Sequence, residues 1–90
     1  MPRLDTLTAS DFEALRGQLF RISAAFVAEL VEVTEIPSEP GGRAPFSLVF
    51  EGGASPPLPQ AIYPVHHERL GAMEIFLVPI APDRYEAVFT

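Results

Sequence analysis

The spacing of apolar positions predicts one short helix near the start of the chain. Phe12 and Leu15 lie three residues apart, which places both side chains on one face of a helix. Thr8 can cap this helix, with Asp11 returning the second hydrogen bond of a capping box, and Ser10 with Glu13 is a second possible box, so the sequence leaves the first residue of the helix open. The sequence therefore predicts a helix of about two turns over residues 9–16.

Beyond Gly17, which can end the helix in a left-handed turn, the apolar period changes to two. Phe20 and Ile22 alternate with polar residues, as in a strand with one buried face. Between Phe26 and Ile36 the apolar residues change parity, which predicts a β-bulge or bend. No second helical stripe follows, so the strands are expected to pair mostly antiparallel.

These elements predict a single domain, residues 1–90, of the α+β class and mostly β. We expect a short N-terminal helix and a small curled antiparallel sheet, or partly open barrel, of about six strands. Pro64 lacks a backbone donor, which favours an edge position for its strand. The strand from Arg84 to Thr90 is also expected at an edge, where unpaired backbone groups could accept a strand from a second copy.

The segment Met73–Ile80 is apolar at nearly every residue, yet it is too short to cross a membrane as a helix. In a strand, successive side chains point to opposite faces, so this segment presents two apolar faces. The domain core can cover one face. We expect the helix, a curled sheet or a partner subunit to cover the other.

This apolar segment and the last strand supply the candidate interface residues. A chain of this size cannot easily bury every large apolar side chain, which favours self-association. The candidates are Phe76, Val78, Ile80, Tyr85 and Val88.

Composition excludes several classes of partner. Twelve acidic residues against six basic ones give a net charge of −6, which disfavours binding to nucleic acid. The chain has no cysteine, so it contains neither a disulfide nor a thiolate metal site. We predict no membrane span and no Sec-type signal peptide, because no charged start precedes an apolar stretch of the required length. The compartment therefore stays open between the cytoplasm and export by another route.

His66, His67 and Glu68 form the only cluster that combines imidazole and carboxylate groups. Neighbouring residues of a strand point to opposite faces, so the two imidazoles are poorly placed to share a metal ion. We therefore predict a hydrogen-bonded structural role, with His67 the better candidate, and no metal or cofactor. No serine lies in a nucleophile elbow, and neither cysteine nor lysine is present, which removes several enzyme classes.

Several stretches resemble a small bacterial domain family of unknown function, whose members are often encoded near phage tail-collar (microcystin-dependent) proteins. They extend over nearly the whole chain and are Leu4–Phe12, Pro40–Phe50, Leu58–Tyr63, His67 with Leu70-Gly71, Phe76–Ile80 and Tyr85–Phe89. Core and turn residues dominate these motifs, and the family has no established catalytic residues. The resemblance implies a setting of tail-like or fibre-like assemblies.

The sequence thus favours a non-enzymatic interaction or assembly module, whose partner is a second copy or a tail-collar-like protein. The alternative is a small-molecule-binding or metal-dependent catalytic barrel that uses His66, His67 and Glu68.

Overall fold

The computed structural model describes residues 7–23, 26–36, 45–52 and 58–89. One helix precedes six strands, in agreement with the predicted fold class. The elements are α1 (Ala9–Glu13), β1 (Leu19–Ile22), β2 (Phe26–Glu35), β3 (Phe46–Glu51), β4 (Ala61–His67), β5 (Gly71–Ala81) and β6 (Arg84–Phe89).

The strands close into a small barrel in the order β1-β2-β3-β6-β5-β4, and every neighbouring pair is antiparallel. The inward side chains alternate with outward ones and form one apolar core. The largest fully buried side chains are Tyr85, Phe12, Phe20, Phe46, Phe50, Ile22, Leu30, Leu48, Leu77 and Val65.

Helix α1 begins with the predicted capping box. The backbone N–H of Thr8 donates to a carboxylate oxygen of Asp11 over 2.8 Å. The helix is shorter than predicted, because turns replace α-helix from residue 14 and end at Gly17, whose φ is +89°. The N–H of Gly17 then donates to the carbonyl of Leu30 over 2.7 Å, which connects the end of the turn to β2.

Phe12 carries the packing of α1 against one end of the barrel. Its ring lies 5.7 Å from that of Phe46 and 5.6 Å from that of Phe89. The rings of Phe46 and Phe89 stack with 4.8 Å between centroids, and the two residues are register partners on β3 and β6. Phe12 and Leu15 are both buried in the core, as their helical spacing predicts.

Strand β2 contains the predicted irregularity. Its register with β3 shifts between Leu30 and Glu32, so one extra residue lies in β2 at this point. The shift explains why the apolar parity changes along this strand. It also supplies the bend that a small barrel requires.

Strand β6 is not an edge strand, in contrast to the prediction. It pairs with β3 along its whole described length, and its first half also pairs with β5, from Ala81↔Arg84 to Val78↔Glu86. Thr90 lies outside the described residues. Barrel closure therefore gives β6 two neighbouring strands. Its backbone groups are not left unpaired along one side, as an edge strand would require.

Strand β4 is not an edge strand either, since it lies between β1 and β5. Pro64 is accommodated because the N and carbonyl groups of one strand residue point to the same neighbour. The Pro64 carbonyl accepts a hydrogen bond from the N–H of Ser23 over 2.6 Å, so its nitrogen also faces the β1 side. The missing N–H of Pro64 therefore removes no hydrogen bond between β4 and β5. Pairing with β1 is limited to Arg21↔His66 and Ile22↔Val65.

Candidate functional site

The two neighbouring histidines point to opposite faces of β4, as predicted. His67 points into the barrel and is only 2% exposed, whereas His66 is exposed on the outside. The ring of His67 lies 4.6 Å from that of Phe20. The two imidazoles therefore lie in different environments.

Both ring nitrogens of His67 are used in hydrogen bonds. Nδ1 accepts the backbone N–H of Arg69 over 3.0 Å, in the turn between β4 and β5. The ring proton is therefore on Nε2, which donates to Oε1 of Gln18 over 2.8 Å. Burial is the main cause that lowers the pKa of His67 below its ordinary value of 6.5, and Glu68 opposes this effect. These contacts describe a neutral structural histidine.

An open cleft of about 550 Å³ lies on the outside of the barrel where β1 meets the end of β4. Its lining consists of Gly17, Gln18, Leu19, Arg21, Val27, His66, His67 and Glu68. His66, His67 and Glu68 all border this cleft, but the buried imidazole of His67 points into the barrel rather than into the cleft. Within the described parts of the chain, no group of three His, Cys, Asp or Glu residues is placed to hold a metal ion.

The outward face of β5 is apolar and uncovered within the described chain. Met73, Ile75 and Leu77 fill the core, but Phe76 is 49% exposed and Ile80 is 51% exposed. Helix α1 does not cover this outward face of β5, because the helix packs against one end of the barrel. A curled sheet does not cover it either among the described residues, so the third alternative, a partner subunit, stays a prediction.

The exposed apolar side chains on β4, β5 and β6 form one surface, which we call the outer apolar patch. Ile62 is the register partner of Phe76, and Val78 pairs with Glu86, two residues before Val88. Directly opposite and diagonal neighbours on one face of a sheet are close enough to touch. The outer apolar patch consists of Ile62, Phe76, Val78, Ile80 and Val88.

Four of the five predicted interface residues therefore lie on this patch. Val78 is half-buried there, and Phe76, Ile80 and Val88 are exposed. Tyr85 does not belong to it, because its side chain is 1% exposed in the core and its hydroxyl accepts the N–H of Leu58 over 2.8 Å. Even parity along β6 points outward and odd parity inward, so the alternation of this strand already separates Val88 from Tyr85.

Sequence reasoning missed two contributors to these surfaces. Ile62 joins the patch through its register with Phe76, and Arg21 enters the cleft through its register with His66. Alternation marks both side chains as outward. Their neighbours, however, depend on strand pairings that no local pattern specifies.

Comparison with known proteins gives one match. A family model described as "Domain of unknown function (DUF6916)" matches residues 7–89. No curated protein and no solved structure matches the chain. In the part of the chain that the structure describes, no helix has the length and apolar character needed to span a membrane.

Proposed function

We propose that this chain, which belongs to the DUF6916 family of unknown function, is a non-enzymatic interaction module. The observation that carries this proposal is the outer apolar patch. Ile62 is 64% exposed, and it lies directly opposite the half-exposed ring of Phe76. Contiguous apolar side chains on a solvent-facing sheet are typical of protein interfaces, because their burial removes apolar surface from water.

A second copy of the chain is the partner that fits this patch best. Glu74 lies at one end of the patch on β5, and Arg84 lies at the other end, opposite Ala81. A twofold axis that lies in the plane of the patch and runs across β5 would reverse one copy relative to the other, so Glu74 of each copy would face Arg84 of its partner. Arg84 also contacts Glu51 over 3.1 Å, so this charge contribution is modest.

One self-complementary patch produces a closed dimer rather than an open filament. The family resemblance suggests the setting, and we propose that the dimer is a component or accessory of a tail-like or fibre-like bacterial assembly. A tail-collar-like protein is the competing partner for the same patch. Since each copy carries a net charge of −6, added salt should strengthen self-association by screening the mutual repulsion.

The test is the solution mass by light scattering across a dilution series, for the wild-type chain and three lysine variants. Ile62 and Leu19 are both 64% exposed on strands, but only Ile62 belongs to the patch. We expect the wild-type chain and Leu19→Lys to dimerise, and Ile62→Lys and Val88→Lys to remain monomers. A wild-type monomer at every concentration would overturn self-association, and equal effects of Ile62→Lys and Leu19→Lys would overturn the assignment to this patch.

A further inference from the structure

A second surface is the open cleft beside β1, which combines charged and polar side chains with apolar ones, unlike the outer apolar patch. Arg21 is exposed at its centre, and its register partners are Val27 on β2 and His66 on β4. Cross-strand partners on one face have Cβ atoms about 5 Å apart. Across the three strands, Arg21 therefore lies between Val27 and His66 on the same outward face.

Arg21 forms no ion pair with any residue that the structure describes. The ion pairs found there are Arg16 with Glu13, over 3.2 Å, and Arg84 with Glu51, over 3.1 Å. A guanidinium presents a planar array of donors that matches a carboxylate. His66 adds a second polar group beside it, and the guanidinium of Arg21, which has no ion-pair partner among the described residues, is available to a ligand.

Apolar side chains form the neighbouring wall of the cleft. Leu19 is two residues from Arg21 along β1, which places their Cα atoms about 6–7 Å apart. Val27 is diagonal to Leu19 across the β1–β2 pair. Both side chains are exposed although they are large and apolar. A ligand that touches this wall gains from apolar burial, provided that it also has a group for Arg21.

Two carboxylates limit the charge of that ligand. Glu29 is the register partner of Leu19, and Glu68 lies on the cleft directly after β4. Their negative charge opposes a dianion more strongly than a monoanion. We propose that the cleft binds the carboxylate of an apolar monoanion, with Arg21 and His66 on the carboxylate and with Leu19 and Val27 on the apolar body.

Two sources can supply this group: a free aliphatic acid or the C-terminal carboxylate of a peptide that ends in an aliphatic residue. The probes are 4-methylpentanoate, its neutral amide, inorganic phosphate, and a short leucine-terminated peptide with a free or an amidated C-terminus. Each is titrated into the ¹⁵N-labelled full chain and followed by the amide shifts of Gly17, Leu19 and Val27. The tighter of the two carboxylate probes identifies the source.

Two variants test the role of Arg21. We expect Arg21→Gln to weaken carboxylate binding about tenfold. Arg69→Gln removes the same charge from the next turn, outside the cleft lining, and should change the affinity less than about twofold. Both side chains are exposed, so folding is checked by the unchanged amide dispersion of each variant.

Four results would overturn the proposal, the fourth of them through its assignment to a monoanion. The first is the absence of saturable shifts with either carboxylate probe, and the second is equal affinity for acid and amide. The third is an equal loss in Arg21→Gln and Arg69→Gln, which would show a nonspecific effect of net charge. Tighter binding of phosphate than of either carboxylate would overturn the assignment to a monoanion.

Discussion

Nε2 of His67 donates to Oε1 of Gln18 across 2.8 Å, although 49 residues separate the two along the chain. This bond connects the turn after α1 to the end of β4. Together with the bond from the N–H of Arg69 to Nδ1, it holds His67 in its neutral form. Protonation of the ring would remove the acceptor for Arg69.

The stability of the protein should therefore depend on pH through His67. Burial lowers the folded-state pKa of His67 below 6.5, so the unfolded chain binds more protons between those two values. This contribution is fully present above 6.5 and is lost as the pH falls toward the folded-state pKa. We expect urea-unfolding midpoints to fall over this interval.

Two histidine variants assign that pH dependence. His67→Gln should be less stable than the wild type and should lack the imidazole part of the pH dependence. His66→Gln changes an exposed side chain and should retain the pH dependence of the wild type. An unchanged pH profile in His67→Gln would contradict the role of the buried ring.

Replacement of Phe12 tests the packing of α1. Its ring is fully buried against Phe46 and Phe89, so Phe12→Ala should cost roughly 3–5 kcal/mol of unfolding free energy. Ser10→Ala, at an exposed position of the same helix, should change it by less than about 0.5 kcal/mol. Denaturant melts measure both, and a loss below about 1 kcal/mol for Phe12→Ala would show that the helix is peripheral.

Gly52 and Gly17 should respond differently to alanine. A Cβ at Gly52 would lie 2.8 Å from the carbonyl oxygen of Val27 and 2.9 Å from Cα of Ala28, so β2 would have to move. A Cβ at Gly17 meets nothing within 4 Å, and only its φ of +89° opposes the substitution. We expect a loss of about 1 kcal/mol for Gly17→Ala and about 2–3 kcal/mol for Gly52→Ala in thermal or urea melts. The opposite order would contradict the close approach of Gly52 to β2.

Zinc should not bind tightly. His66 and His67 face opposite ways, and both nitrogens of His67 already have hydrogen-bond partners. Titration calorimetry with ZnCl₂ provides the measurement. Stoichiometric binding that disappears in His66→Ala or His67→Ala would contradict this prediction and would support the metal-dependent alternative.

Local signals in the sequence predict the elements of this fold well. The Thr8 to Asp11 capping box, the left-handed Gly17 and the inward pair Phe20 and Ile22 follow from spacing and residue type alone. Such features depend on neighbours within a few residues, whose geometry is fixed by the helix or strand itself.

Pairing between distant segments explains what the sequence does not predict. The pattern of β6 suits an edge strand, but pairing with both β3 and β5 gives it a neighbour on each side in the barrel. The contact of Gln18 with His67 and the position of Arg21 beside His66 depend on the same closure. Alternation identifies which side chains point outward, but it does not identify the strands beside them.

Closure of the barrel between β1 and β4 has a consequence for the order of folding. This junction has two register pairs, and the nitrogen of Pro64 cannot donate to extend it toward the start of β4. It also joins residues far apart in sequence, such as Ile22 and Val65, so its loop-closure entropy is unfavourable. The β4–β5 hairpin, with seven register pairs, can form locally and early. We therefore expect the last folding step to be the conversion of an open six-stranded sheet into a ring, and we expect reopening of that ring to expose the inner faces of β1 and β4 first.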